Sequence, residues 1–89
     1  MLISFAKKFS KQRDKAPAKV IEALNKRLKL FLTDSFHPLL NNHQLTGKFR
    51  GYRSINITGD WRAIYKTIQI DNQELIIFEL LGRHSQLYK

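Results

Sequence analysis

Cysteine is absent from the 89-residue sequence, and only seven residues are acidic. The absence of cysteine excludes disulfide bonds, thiolate metal sites and cysteine nucleophiles, and it is typical of a reducing compartment such as the cytoplasm. No apolar run approaches the roughly 18 residues of a membrane-spanning helix. The amino terminus has no long apolar segment after a basic start, so a signal peptide is not expected. These absences predict a cytoplasmic protein without a membrane partner.

The scarcity of acidic residues leaves a strongly basic chain. Sixteen Lys and Arg against seven Asp and Glu give a formal net charge of +9. The basic residues are spread along the sequence instead of being collected in a tail, so the folded domain itself should be cationic. Such a charge favours a polyanionic partner, which could be RNA, DNA, the ribosome or an acidic protein.

Sequence signatures of several enzyme classes are also missing. The three histidines, at positions 37, 43 and 84, lack the short spacing of zinc ligands, and the acids are few and scattered. There is no GxxxxGK[ST] loop, GxGxxG turn or GxSxG elbow. We therefore expect neither a metal nor another cofactor.

Hydrophobic periodicity predicts two helices near the amino terminus. Apolar residues at helical spacing begin with Phe5 and Phe9, and residues 14–17 interrupt the pattern. A second helix, with Pro17 in its first turn, carries the clearest apolar stripe of the sequence. That stripe consists of Val20, Ile21, Leu24, Leu28, Phe31 and Leu32. We expect it to pack in the core and to carry no chemistry.

The remaining pattern is typical of strands. Residues 1–5 can form an edge strand, residues 33–47 are rich in turn formers, and three β-patterned runs follow at 49–57, 61–70 and 75–81. Short linkers at 58–60 and 71–73 suit hairpins. The tail, residues 82–89, is predicted to end as a short strand. The expected architecture is one α+β domain over residues 1–89, in the order β-α-α-β-β-β, with a helical hairpin on one face of a small antiparallel sheet.

Cationic and aromatic residues alternate in residues 47–65, as on surfaces that bind phosphates and bases. The residues that we predict to bind RNA are Lys48, Arg50, Arg53, Trp61 and Arg83. Exposed basic residues on a solvated strand face would explain the three at positions 48, 50 and 53 equally well. Trp61 could instead be a core residue.

Cleavage of RNA without a metal requires a base for the 2′-OH, an acid for the leaving 5′-oxygen and a cation for the phosphate. The residue types that can supply these groups predict five catalytic candidates: His43, Asp60, Arg62, His84 and Tyr88. Asp60 could instead stabilise a turn after Thr58 and Gly59. Arg62 is next to Trp61 in a predicted strand, so its side chain need not lie on the face that carries Trp61. His37, which precedes a proline, is interpreted as an ordinary turn residue.

Four short motifs stand in order along the second half of the chain. They are H-x-L-x-G, G-Y-R, D-W followed by I-Y, and a terminal G-x-H-x-x-L-[FY], within NHQLTGKFRGYRSINITGDWRAIYK and FELLGRHSQLYK. With them, the chain resembles the RelE/ParE superfamily of bacterial toxins, most closely its YafQ-like branch, over essentially its whole length. The resemblance implies a type II toxin that cuts translated mRNA in the ribosomal A site without a metal. It also implies a cognate antitoxin as partner. Binding to operator DNA would occur only through the complex with that antitoxin.

The resemblance also implies roles for individual residues. His43 matches a histidine proposed for proton transfer, Asp60 a candidate base, and His84 the general acid. Trp61 matches a base-stacking or structural partner, and Tyr88 an aromatic residue that packs on or orients the substrate.

Two residues depart from the YafQ-like pattern. Asn56 stands where this branch commonly has another histidine, so one proton-transfer group is missing or replaced. Arg62 resembles the phosphate-stabilising arginine of RelE-like and YoeB-like toxins. Two other function classes stay open: a ParE-like toxin that binds DNA gyrase without cutting RNA, against which His43 and His84 count, and a degenerate toxin that only binds its antitoxin, which Asn56 keeps open.

Overall fold

The computed structural model describes residues 1–88, which form five strands and three α-helices. The amino-terminal half contains strand β1 (Leu2–Phe5) and helices α1 (Lys7–Asp14) and α2 (Ala18–Thr33). The rest of the chain contributes β2 (His43–Gln44), β3 (Arg53–Asn56), β4 (Trp61–Ile70), β5 (Gln73–Arg83) and a short helix α3 (His84–Leu87). Single 3₁₀ turns at Pro38–Leu40 and Gly47–Phe49 flank β2. No helix within residues 1–88 is both long and apolar enough to cross a membrane.

The strands form one sheet in the order β1-β5-β4-β3-β2. Strands β2 to β5 pair antiparallel, as expected, but β1 pairs parallel with β5. The predicted α+β class and the helical hairpin are confirmed, whereas an entirely antiparallel sheet is wrong. Parallel pairing needs a long connection between the two strands. Here every other element except α3 lies between them in the sequence.

Helices α1 and α2 cover one face of the sheet, where aromatic rings form the centre of the core. Phe9 and Phe31 lie 5.8 and 5.5 Å from the ring of Phe78, measured between ring centroids. Leu24 on α2 is also fully buried. The core stripe predicted for α2 is therefore confirmed, except that Leu32 points to solvent and is 56% exposed.

Three local predictions were wrong. The tail forms no separate strand, because β5 continues to Arg83 and residues 84–87 turn into α3; Lys89 lies outside the described residues. The run at 49–57 is a strand only over Arg53–Asn56, after a bend at Gly51 with φ of 91°. Glycine tolerates this positive φ, whereas other residues rarely do. The turn-rich connection also contributes the two-residue strand β2.

Candidate active site and a second basic cleft

The candidate active site lies on the face of the sheet that α1 and α2 leave open. Residues that pair directly on neighbouring strands share a face, and so do residues two apart on one strand. The pairs His43–Ser54 and Asn56–Arg62 therefore project together. The intervening residue Ile55 points to the core on the opposite face. This alternation separates the polar residues from the helices.

Four of the five catalytic candidates meet in one open cleft of about 360 Å³. We call it the histidine cleft, and its lining residues are Asn41, His43, Leu45, Arg62, His84 and Tyr88. They come from β2 and the residues that flank it, from β4, and from α3 with the residue that follows it. None of the lining residues is acidic.

One nitrogen of His43 is fixed by a backbone carbonyl. Its Nδ1 lies 2.8 Å from the carbonyl oxygen of Asn41. A carbonyl oxygen can only accept, so in this hydrogen bond Nδ1 carries the proton. In neutral His43, Nε2 then holds the free lone pair and can act as a base. Asn41 adopts a left-handed conformation, with φ of 45°, that brings its carbonyl to this position; asparagine tolerates this region better than most residues.

Helix α3 begins at His84, and Tyr88 directly follows the helix as its C-cap, with its N–H donating to the carbonyl of His84 over 3.1 Å. Their ring centroids are 4.6 Å apart. The Tyr88 hydroxyl donates to Ser54 Oγ over 2.9 Å, and Ser54 is fully buried. The backbone N–H of His84 donates to the carbonyl of Asp60 over 2.8 Å, which ties the start of α3 to the β3–β4 turn.

Arg62 is held by the same turn. Its Nη1 donates to the carbonyls of Thr58 and Trp61 over 2.9 and 3.0 Å, and its Nη2 donates to the carbonyl of Gly59 over 3.2 Å. A guanidinium has five N–H donors. Within residues 1–88 the Nε–H and one Nη2–H therefore have no acceptor, and both can donate to phosphate oxygens.

The carboxylate of Asp60 does not line the histidine cleft. Its Oδ2 lies 3.8 Å from Nε of Arg83, and both side chains are exposed. Thr58 Oγ1 accepts from the backbone N–H groups of Asp60 and Trp61, which favours the turn interpretation of this segment. Asp60 reaches the site through its backbone carbonyl.

The residues predicted to bind RNA are distributed over several surfaces. Lys48 and Trp61 line a second cleft next to α1, which we call the lysine–tryptophan cleft, and Arg50 and Arg53 line a pocket beside the β2–β3 loop. The expectation that Arg53 is exposed was wrong. It is half-buried, donates from Nε to Asn42 Oδ1 over 2.7 Å and lies over the ring of Phe36.

Asn42, which sequence reasoning missed, connects three segments next to His43. Its Nδ2 donates to the carbonyl of Ser35 over 2.8 Å and to the hydroxyl of Tyr65 over 2.7 Å. Burial raises the pKa of Tyr65, and the hydrogen bond from Asn42 opposes part of that rise. The only sequence signal for this residue was the turn propensity of an Asn–Asn pair.

Two further expectations concern His37 and Asn56. His37 Nδ1 accepts from the backbone N–H of Leu39, as expected of a turn residue. Asn56 faces the same side as Arg62, but its Oδ1 is buried and accepts no hydrogen bond within residues 1–88. Asn56 does not line the histidine cleft.

No group of three His, Cys, Asp or Glu side chains within residues 1–88 could hold a metal ion. The histidine cleft contains only two residues of these types, His43 and His84. Independence from metal stays a prediction.

A family model described as the bacterial toxin YafQ of type II toxin–antitoxin systems matches residues 1–89. The chain belongs to the YafQ toxin family. It is therefore a type II toxin, and the resemblance noted in its motifs is confirmed. A comparison with curated protein sequences gives no match.

Solved structures of YafQ and related toxins share the fold. YafQ in the DinJ–YafQ complex of E. coli is 26% identical, covers 98% of this chain and 97% of its own, and has a TM-score of 0.69. YafQ from E. coli strain BL21(DE3) is 25% identical over the same shares, with a TM-score of 0.71. A YoeB/ParE toxin from Agrobacterium tumefaciens, at 18% identity, covers 94% of this chain and 99% of its own with a TM-score of 0.75.

Proposed function

We propose that the chain is a ribosome-dependent mRNA endonuclease that cuts translated mRNA in the ribosomal A site. The observation that carries this proposal is the histidine cleft, where two imidazoles and a guanidinium from separate elements meet on an open face. These groups correspond to the base, acid and cation that metal-independent RNA cleavage requires. Membership of the YafQ toxin family supports the same activity.

In this mechanism His43 is the general base, because Nε2 is the nitrogen that its bond to Asn41 leaves free. The 2′-oxygen of the substrate attacks the adjacent phosphorus, and its proton passes to His43 Nε2. The bond from phosphorus to the 5′-oxygen breaks, and protonated His84 gives a proton to that oxygen. The products are a 2′,3′-cyclic phosphate and a free 5′-hydroxyl.

Arg62 and Tyr88 support this reaction without transferring protons. The two free N–H groups of Arg62 stabilise the negative charge that develops on the phosphate oxygens. The ring of Tyr88 lies against His84 and limits the positions of the imidazole. No acidic side chain lines the cleft to neutralise the charge of the guanidinium.

The partners that we propose are the ribosome with its mRNA and a cognate antitoxin, in the cytoplasm. The net charge of +9 suits binding to ribosomal RNA. The DinJ–YafQ complex of E. coli, with its 26% identical toxin, supports an antitoxin partner. Operator DNA would be reached only through the antitoxin complex.

The test compares purified protein acting on free mRNA and on mRNA bound to programmed ribosomes, with cleavage mapped by primer extension. Wild-type protein is expected to cut only on ribosomes. Removal of the proposed acid in His84→Ala should lower the rate about a hundredfold or more. Cleaved ends should carry the cyclic phosphate, and added chelator should change nothing.

His37→Ala is the matched control, because it removes a histidine that lies outside the histidine cleft. It should retain wild-type cleavage. Circular dichroism must show that both variants are folded. Failure of folded wild-type protein to cut mRNA on ribosomes would contradict the endonuclease proposal and leave a toxin that acts by binding alone.

A further inference from the structure

The lysine–tryptophan cleft lies on the other side of α3 from the histidine cleft. It measures about 460 Å³, and three of its walls come from α1, from Trp61 and from the β5–α3 junction. Gln86 and Leu87 of α3 line this cleft, whereas His84 and Tyr88 line the other. The rings of Phe49 and Tyr88, 6.1 Å apart, continue the shared wall. The two clefts are therefore neighbours on either side of α3.

Every polar side chain in the lysine–tryptophan cleft offers a hydrogen-bond donor. The backbone N–H of Leu81 donates to Gln12 Oε1 over 2.8 Å, and that of Arg83 donates to Gln86 Oε1 over 3.1 Å. These bonds use one lone pair of each amide oxygen, and the amide NH₂ groups make no hydrogen bond within residues 1–88. The other polar side chains of the cleft carry only donors: Lys8, Lys15, Lys48 and Trp61. No acidic residue lines it. Its ligand must be rich in acceptors and negatively charged.

Aromatic and apolar groups form the rest of the cleft. Trp61 is half-buried, and although it packs against the core, it also lines the cleft together with Phe49. The ammonium of Lys48 lies 5.2 Å from the centre of the Phe49 ring. Ammonium groups beside aromatic faces are the combination by which proteins bind single-stranded nucleic acid, with phosphates on the cations and bases against the rings. An acidic peptide would satisfy the cations but would have no need of the rings.

We propose that the lysine–tryptophan cleft binds a nucleotide of the same RNA strand that is cut in the histidine cleft. This inference rests on the proposed RNA cleavage. The two clefts lie on opposite sides of α3, and an α-helix with its side chains is only about 10–12 Å across. A strand leaving the histidine cleft crosses it within a few nucleotides. Binding on both sides of α3 fixes the position of the strand at the two histidines.

The first experiment uses Trp61 itself as the probe, because it is the single tryptophan of the chain. Its fluorescence is followed while a six-nucleotide 2′-O-methyl oligoadenylate, which lacks the attacking 2′-OH, is added at several KCl concentrations. We expect saturable quenching and an affinity that falls with salt. In Lys8→Ala/Lys15→Ala, the slope of log affinity against log salt should decrease by about 0.7 for each phosphate that the variant no longer neutralises.

Lys19→Ala/Lys29→Ala is the matched control. It removes the same charge from exposed positions on α2 that line neither cleft, and it should keep the wild-type slope. Trp61→Ala, measured by anisotropy of a dye-labelled oligonucleotide, should lower the affinity on the order of tenfold to a hundredfold. If this variant fails to fold, the exposed lysine variants still decide the outcome.

Hexaglutamate is titrated in parallel. If the peptide quenches Trp61 with the same affinity and salt slope as the oligonucleotide, the RNA assignment is overturned and the cleft is a binding site for an acidic protein. Absence of quenching by the oligonucleotide would overturn it as well. His84→Ala, which removes the proposed acid, should still show saturable, salt-dependent quenching of Trp61 by the oligonucleotide, so failure of cleavage and failure of this binding site are seen separately.

A second experiment distinguishes the substrate strand from ribosomal RNA as the source of the nucleotide. Messenger RNAs are truncated stepwise on either side of the A-site codon and presented on ribosomes. Wild-type protein should cut more slowly once the flanking nucleotide is removed, and Lys8→Ala/Lys15→Ala should be insensitive to the same truncation. Equal sensitivity of the two proteins would overturn the assignment to the substrate strand.

Discussion

At the scale of single residues, backbone carbonyls position the reactive residues of the histidine cleft. The carbonyl of Asn41 fixes the ring of His43, that of Asp60 holds the amide of His84, and the β3–β4 turn holds Arg62. Carbonyl groups position these residues without carrying a full charge of their own. Because no acidic residue lines the cleft, its positive potential remains available to a phosphate.

Tyr88 allows the roles of a ring and of a hydroxyl to be separated. Tyr88→Phe removes the bond to the buried Ser54 hydroxyl, so we expect the free energy of unfolding to fall by about 1 kcal/mol. The ring beside His84 is kept, and cleavage on ribosomes should stay within a few-fold of wild type. Tyr88→Ala removes the ring too and should lower cleavage about tenfold or more. Urea unfolding and primer extension measure the two effects.

Ser54→Ala and the double variant Ser54→Ala/Tyr88→Phe provide the control. The effects of the two substitutions on the free energy of unfolding should not be additive, because they remove the same hydrogen bond. Their effects on the cleavage rate should be independent. The interpretation fails if Tyr88→Phe cuts as poorly as Tyr88→Ala with unchanged stability. In that case the hydroxyl acts on the substrate.

The difference between predicted and missed residues follows from the range of their interactions. His43, Arg62 and His84 could be selected from the sequence because their residue types carry chemistry and their motifs are short. The contact of Asn42 with Tyr65 spans 23 positions, and that of Tyr88 with Ser54 spans 34. No local pattern encodes such contacts, so their partners emerged only from the fold.

At the scale of elements, α2 and the two β4 hairpins were predictable, whereas α3 was not. The stripe of α2 and the short turns are local signals. The four residues of α3 are too few to show any periodicity. Their helical conformation depends on contacts with β5, where the side chain of Leu87 packs over Gly82 and Gln86 accepts from the N–H of Arg83. Tertiary packing therefore decides this element.

Gly82→Ala tests whether that packing positions the histidine cleft. A Cβ at residue 82 would lie 3.2 Å from Cδ2 of Leu87, so this side chain must give by a few tenths of an ångström. If its packing holds Leu87 in place, α3 moves with it and displaces His84 and Tyr88. We expect cleavage on ribosomes to fall about tenfold or more, while overpacking costs about 1–3 kcal/mol of stability. Primer extension on folded protein measures the first effect, and urea unfolding the second.

Gly59→Ala is the matched control, because a Cβ there meets nothing within 4 Å and the carbonyl that Arg62 contacts is retained. It should cut like wild-type protein. Normal cleavage by Gly82→Ala would mean that Leu87 yields without moving α3, and the positioning role of this contact would be wrong.

At the scale of the whole molecule, the two faces of the sheet have different tasks. The residues lining the histidine cleft all lie between positions 41 and 88, whereas α2 lines neither the histidine cleft nor the lysine–tryptophan cleft. The contact of Phe31 with Tyr65, 5.2 Å between ring centroids, shows how α2 joins the core on the opposite face. The helix layer should therefore determine stability and affect chemistry only through the folded fraction.

Leu24→Ala on α2 tests this separation. Leu24 is fully buried, and its truncation should lower the free energy of unfolding by about 2–5 kcal/mol. Leu32→Ala is the same substitution on the same helix at a position that is 56% exposed, and it should change stability by less than about 0.5 kcal/mol. Urea unfolding gives the folded fractions, and cleavage rates on ribosomes are then compared per folded molecule. Both variants should have the wild-type cleavage rate per folded molecule, because the sheet keeps the histidine cleft on the face that α2 does not touch. A lower rate per folded molecule for Leu24→Ala alone would show that core packing is transmitted through β3 and β4 to the catalytic geometry, and the separation of tasks would be wrong.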